Sequence, residues 1–359
     1  MAFVGRDGIP PNYRHAECHS APHHLLDIIT RKITIYHLPI TNHYYPTRNM
    51  TRKLACITID IEADYANTQG HIRLFEEPAL MDRYIDLIRR TGVKVTAFLV
   101  TSILARYGES IRRLEREIPI EFALHSHHHN TETSGERAEI ELAQKTYRNF
   151  FGREPIGYRA PIGAITREGL NNLIDLGFRY DASVFASIRP GRNGYWNTHM
   201  PIEPFRVMRG TESILEFPFP TLPAIRLNFG LPWIKLFGLG LSSLLMRLFP
   251  PPYVIAFTTH AHDLYAPHLS DGVTAIEKMA LLRNSDKGFE ILEAMIEHFR
   301  SEGYGFAFMS EICDYVDTLP DLRQMPLDKW RYYLLKDILW PRNLKKISKN
   351  TPNSPSASA

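Results

Sequence analysis

Cysteine is scarce: Cys18, Cys56 and Cys313 are the only three in 359 residues. An odd number with no short spacing makes neither a disulfide framework nor a thiolate zinc site, so a reducing compartment, the cytoplasm, is expected. Charge of one sign is also lacking. A net charge of +3 is too small in a chain of this length to argue for a nucleic-acid partner. Residues 1–49 hold no continuous apolar stretch of signal-peptide length, so a cleaved secretory leader is not expected. Met50 stands directly before Thr51-Arg52-Lys53 and the first strand-like run. It is therefore an alternative translation start, with residues 1–53 expected to be an N-terminal extension, untranslated or poorly ordered.

What is present is a 44% hydrophobic chain, enough for one large domain with extensions. From Leu54 onward, short β-rich runs alternate with amphipathic stretches. Strands are expected at 55–61, 93–100, 119–124, 156–159, 178–181, 214–217, 253–258 and 305–309. Leu80, Met81, Tyr84, Ile85 and Ile88 keep helical spacing up to Gly92, and Ile140, Ala143, Tyr147 and Phe151 do so up to Gly152. Thr166 can cap a helix carrying Leu170, Leu173 and Ile174, which Gly177 ends. Seven or eight strands alternating with helices predict an α/β fold, an irregular TIM-like barrel with its chemistry at the carboxyl ends of the strands.

Two segments carry that chemistry. In His125-Ser126-His127-His128-His129 the outer imidazoles stand four residues apart, so a helical turn there would project both from one side toward one ion. In Thr58-Ile59-Asp60-Ile61-Glu62 the acids are two apart, which on a strand puts both carboxylates on one face. One can complete a two-His, one-carboxylate metal site while the other stays free to move protons. Arg159-Ala160-Pro161 ends the fourth expected strand and His260 follows Ile255-Ala256-Phe257-Thr258-Thr259. His23, His24 and His71 have no partner at ligand spacing and are expected on the surface.

In this order the motifs of residues 54–316 resemble the NodB-like polysaccharide deacetylases of carbohydrate esterase family four. The resemblance implies a NodB homology barrel and a hydrolase acting on the carbon-nitrogen bond of an N-acetylated or N-acylated sugar or polysaccharide. It makes Asp60 the base, Glu62 a metal ligand, and His125 and His129 the other ligands; Asp64, which has the same strand parity as Glu62, is a weaker candidate for the carboxylate ligand. Ser126 would brace the loop, Arg159 of the Arg-x-Pro motif would hold the base, and Pro161 would support that turn. His260 would be the general acid, with His262 its rival and Asp263 its orienting partner. The family's two acids are usually adjacent; the residue between them here is similar to the branch acting on lipid-linked aminosugars. Zinc is the default cation for this ligand set, although cobalt, nickel or iron suit it too. The rivals are a metal-free amidohydrolase acting on a cyclic ureide, against which the histidine pair speaks, and a catalytically inactive carbohydrate-binding barrel.

Residues 227–249 are dominated by leucine, phenylalanine, tryptophan and glycine but interrupted by Pro232, Lys235 and Arg247. These interruptions argue against a transmembrane span and leave a buried barrel helix or an interfacial segment. The C-terminal tail, 317–359, carries eight Lys or Arg between Arg323 and Lys349 against Asp328 and Asp337. Trp330, Tyr332, Tyr333 and Trp340 are interleaved with them, a mix suited to an anionic membrane surface or to a helix packed outside the barrel. The expectation is a cytoplasmic enzyme with peripheral contact to the inner face of the membrane, acting in surface polysaccharide metabolism.

Overall fold

The computed structural model describes residues 50–64, 70–189, 194–267, 269 and 275–334. The expectations for residues 1–49 and 335–359 lie outside these. Strand β1 (Leu54–Ile61) is buried along its whole length, as a strand covered on both faces must be. Helix α1 (Pro78–Thr91) follows and ends at Gly92, whose φ of 66° suits a residue without a Cβ. Next come β2 (Val95–Leu99), α2 (Leu104–Glu117), β3 (Ile120–Leu124), α3 (Arg137–Phe151) and β4 (Gly157–Tyr158). Helix α4 (Arg167–Asp175) starts at Thr166, whose hydroxyl accepts from the Gly169 N–H at 2.9 Å as expected of a cap. Strand β5 (Tyr180–Asp181) leads to β6 (Phe205–Arg209) and β7 (Glu212–Glu216).

The second half holds α5 (Leu231–Phe237), α6 (Leu239–Leu248), β8 (Val254–His260), α7 (Ala275–Leu282), α8 (Gly288–Ser301), β9 (Gly305–Phe306), α9 (Met309–Asp317) and β10 (Gln324–Pro326). The sheet runs β8-β1-β2-β3-β4-β5-β7-β6-β10, with β9 also on β1. Pairing is parallel except between β6 and β7. This is an irregular, mostly parallel α/β barrel sheet, with β6 and its antiparallel register an addition that the alternation pattern did not anticipate.

Strand parity explains where the site sits. Leu54 and Cys56 of β1, Phe98 of β2, Ala123 of β3, Leu215 of β7, and Val254 and Ala256 of β8 pack together as the barrel interior. Met309, Ile312, Cys313 and Val316 of α9 pack against the same set. The alternate residues Ala55, Ile57, Ile59 and Ile61 face the helices instead. Continuing the inward parity upward gives Thr58 and Asp60 on β1, His125 beyond β3, and Thr258 and His260 on β8. An apolar column is thus topped by polar groups at the carboxyl ends.

The apolar stretch at 227–249 forms two short helices of different burial. α5 packs on β8 and buries Ile234 and Lys235, whereas α6, bent from it by 110°, leaves Leu241, Leu244 and Leu248 exposed. Among the described residues no single helix is long and apolar enough to cross a membrane. Residues 318–334 pack on the barrel as turns, the short strand β10 and a single 3-10 turn at Leu327–Lys329. β10 pairs with β6, Trp330 is buried beside Phe205, and the Tyr332 hydroxyl accepts from the Phe185 N–H at 3.2 Å.

Candidate active site

The histidine segment is a loop, not the helical turn that its spacing suggested. Two non-glycine residues take left-handed backbone there, Ser126 at φ 66° and His129 at φ 57°. Such strain persists only where the surroundings over-determine it. Ser126 Oγ accepts from the His129 N–H at 3.0 Å, a bond within the loop. Glu139, in the first turn of α3, accepts from the backbone N–H of His127 at 3.0 Å and of His128 at 2.7 Å, and its other oxygen lies 2.9 Å from His128 Nδ1. His127 Nδ1 lies 2.8 Å from Thr101 Oγ1. His127 and His128 therefore anchor the loop while His125 and His129 turn inward with ring centroids 5.0 Å apart. Sequence reasoning missed Glu139; the available signal was an acid in the first turn of the helix after the histidine segment.

His125 Nδ1 lies 2.7 Å from the Arg159 carbonyl, to which it donates, which leaves Nε2 facing Glu62 Oε2 at 3.3 Å. His129 Nε2 contacts the same carboxylate oxygen. One ligand atom from each of Glu62, His125 and His129 lies within 4.8 Å of the others. Two imidazole nitrogens and one carboxylate oxygen suit a zinc-like divalent cation and leave coordination positions open, so the residues fit the metal that the motifs imply. Burial raises the Glu62 carboxyl, but the charge of His129 and hydrogen bonds from both imidazoles outweigh it and hold the group well below the usual range. Asp64 does not join them. β1 ends at Ile61, strand parity stops holding, and the Asp64 carboxylate accepts from Tyr265 Oη at 2.7 Å and the Arg73 N–H at 3.2 Å.

Beside this trio lies Asp60. Its Oδ1 accepts from Arg159 Nη1 at 2.5 Å, and its Oδ2 lies 3.9 Å from His125 Nε2 and 3.7 Å from His260 Nε2. Arg159 is 1% exposed, an extreme for a guanidinium, and is held by further partners. It donates to Thr58 Oγ1 and the Ala182 carbonyl, both at 3.1 Å, and its guanidinium lies over Phe98 at 3.9 Å and Phe219 at 4.8 Å. Pro161 opens the buried turn after Ala160, whose N–H donates to Ser183 Oγ at 2.8 Å; that hydroxyl donates in turn to Asp181 Oδ1 at 2.6 Å. Asp181 and Glu216, at the ends of β5 and β7, form a buried acid pair. Burial pushes Asp181 up to about 6 and Glu216 well above its usual range, and the negative charge of Asp181 raises Glu216 further. Sequence reasoning missed Glu216.

β8 pairs with β1 so that Asp60 and His260 are direct neighbours. Asp263 Oδ2 accepts from the His260 N–H at 3.0 Å and lies 2.8 Å from its Nδ1. Burial pulls the His260 imidazole down, but the hydrogen bond to Asp263 and the charges of Asp263, Asp60 and Glu62 raise it to about 9. His262, stacked on it at 4.9 Å, moves the other way: burial and the neighbouring His260 take it down to about 4. Of the two rivals, His260 is the one facing Asp60, with Nε2 3.7 Å from Asp60 Oδ2.

Residues 47–180 match the family model described as polysaccharide deacetylase. Among solved structures, a probable polysaccharide deacetylase from Pseudomonas aeruginosa PAO1 is similar at 14% identity and a TM-score of 0.50, over 81% of this chain and 98% of its own. Puue allantoinase is similar at 14% identity and a TM-score of 0.50, over 80% and 97%. At these identities the likeness is one of fold. A search of curated proteins gives no match.

Proposed function

We propose that this chain is a metal-dependent hydrolase of the polysaccharide deacetylase kind that removes the acetyl or another acyl group from the nitrogen of an aminosugar; the family-model match over residues 47–180 and the likeness of fold support the reading. The observation that carries this reading is the convergence of Glu62, His125 and His129 beside an Asp60 held by a buried arginine. Glu62, His125 and His129 would hold the cation, for which Zn2+ is the best match. When bound, it supplies Lewis acidity toward the acyl carbonyl and the attacking water.

The protein's own groups divide the proton work. Arg159 pins one oxygen of Asp60, so the other, Oδ2, is aimed into the space between His125 and His260, where it can take a proton from water. His260, carrying protons on both nitrogens, gives the Nε2 proton to the departing sugar nitrogen, which then leaves as an amine rather than as an amide anion. Asp263 keeps the Nδ1 proton in place while this happens.

The same reading extends to a substrate on a lipid carrier and to peripheral membrane contact. The exposed leucines of α6 support it, since they follow directly on α5, which packs on the strand bearing His260. A cytoplasmic location at the inner face of the membrane agrees with Cys56 and Cys313 being free and buried.

Metal content and acetate release from chitooligosaccharides and from an acetylated lipid-linked sugar test the core of this reading. Asp60→Asn should keep the metal and lose turnover by about 100-fold or more. Glu62→Ala and His125→Ala should lose both. Full turnover in Asp60→Asn, or in a metal-stripped wild type, would remove the assignment.

A further inference from the structure

Lys235 lies in the last turn of α5, inside the apolar stretch, and is 2% exposed. A buried ammonium needs a partner. Its side-chain partner among the described residues is Asp263 Oδ1, 3.4 Å from Nζ. The other oxygen of Asp263 is the one that accepts from His260. Charges therefore alternate across the site from Lys235 through Asp263, His260 and Asp60 to Arg159, and each carboxylate has a buried cation behind it.

We propose that Lys235 is a positioning residue for the general acid: by holding Asp263 charged and in place, it fixes the His260 ring so that the proton delivered to the leaving nitrogen comes from Nε2. The inference rests on the deacetylase reading above. The physical need is specific to the moment of transfer. As the leaving nitrogen calls for a proton, the imidazolium faces Asp263 in a buried site, and without a second cation its Nδ1 proton can move onto the carboxylate, leaving a neutral ring whose Nε2–H is far too weak an acid to be given up. Lys235 keeps the negative charge on Asp263, so the Nδ1–H stays on the ring and Nε2 is left as the group that gives up its proton. The groups facing His260 are Asp263 and His262 on its own turn, Asp60 on β1, Glu62 beyond it, and His129 from the histidine loop. Lys235 is the cation that α5 contributes, through Asp263. The placement is built in: the backbone at Gly230, just ahead of α5, lies so close to the Thr258 carbonyl that an added Cβ would sit 3.0 Å from it, and the Lys235 carbonyl accepts from Asn284 Nδ2 at 2.8 Å.

The test compares two leaving groups in the metal-loaded enzyme. An N-acetylated chitooligosaccharide needs a proton on its departing nitrogen, whereas 4-nitrophenyl acetate releases a phenolate that needs none. Lys235→Met should lower kcat on the amide by about 100-fold with KM and metal content little changed, and lower ester turnover only a few-fold. Asp263→Asn should be as selective, and Lys235→Met/Asp263→Asn should be no worse than Asp263→Asn alone, because Lys235 acts through that carboxylate. The downfield proton resonance of His260 Nδ1–H should be seen in wild type and lost or shifted in Lys235→Met. Equal losses on amide and ester, an unaffected amide rate, an unmoved resonance or a double variant clearly below Asp263→Asn would each overturn the proposal. Should Lys235→Met fail to fold, the double variant, in which the ion pair becomes a neutral pair, still decides through its comparison with Asp263→Asn. A wild type releasing no acetate from any acetylated sugar would instead count against the deacetylase reading, and the resonance would still report on Lys235.

Discussion

Arg159→Met isolates the contribution of a guanidinium that is almost wholly buried. Methionine keeps an unbranched stem between Phe98 and Phe219 but removes the guanidinium and with it the 2.5 Å ion pair to Asp60 and the bonds to Thr58 and Ala182. Asp60 is itself only 2% exposed, so its charge cannot turn to water. Breaking a buried pair by removing one partner costs about 3–5 kcal/mol, because the other charge stays behind unpaired. The lost cation–π contact adds about 1 kcal/mol, and the apolar fill of methionine returns part of it. A net loss of roughly 4 kcal/mol at pH 7 follows, read as a lower urea midpoint at constant slope. Asp60→Asn in the same background removes the stranded charge, so Arg159→Met/Asp60→Asn should be more stable than Arg159→Met by about 2 kcal/mol. Unfolding is best followed in chelator, where no bound cation can substitute for the guanidinium. A loss under about 1 kcal/mol, or a double variant no more stable than Arg159→Met, would refute the view that this pair is held by mutual burial.

Two further outcomes follow from other parts of the molecule. His260 is raised from an ordinary 6.5 to about 9, so its contribution to stability is fully present below about pH 6.5 and is lost as pH rises through about 9. A melting-temperature series across that window should show the decline in wild type and a flatter profile in Asp263→Asn, and the acetate-release rate should fall on its alkaline side near the same pH; a flat wild-type series would contradict it. On α6, Leu241→Ser/Leu244→Ser/Leu248→Ser replaces three leucines that are about half exposed and should leave the fold intact. At roughly 1 kcal/mol apiece, it should weaken co-sedimentation with phosphatidylglycerol vesicles by about two orders of magnitude, and equal sedimentation of wild type and variant would remove the membrane contact.

What could be read from the sequence and what could not separate along one physical line, the reach of a local repeat. Helix stripes such as Tyr84, Ile85 and Ile88 before Gly92, and the Thr166 cap, are legible because their partners lie within a few residues. The Asp60 and Glu62 parity is likewise local, and it misleads one step later at Asp64, where β1 has already ended. Spacing paired His125 with His129 but implied a helix; the pair is made instead by left-handed backbone at Ser126 and His129, braced by a glutamate that arrives on α3. Contacts set by strand order were beyond any periodic signal. Asp60 meets His260 across 200 residues only because β8 lies beside β1, and β6 escaped notice because its pairing with β7 breaks the parallel alternation. Lys235 belongs to the same class and yet left a trace. An isolated ammonium inside an otherwise apolar run is costly unless a carboxylate waits in the fold, so the interruption that argued against a membrane span was also the mark of a buried counter-charge, and Asp263 is where the fold supplies it.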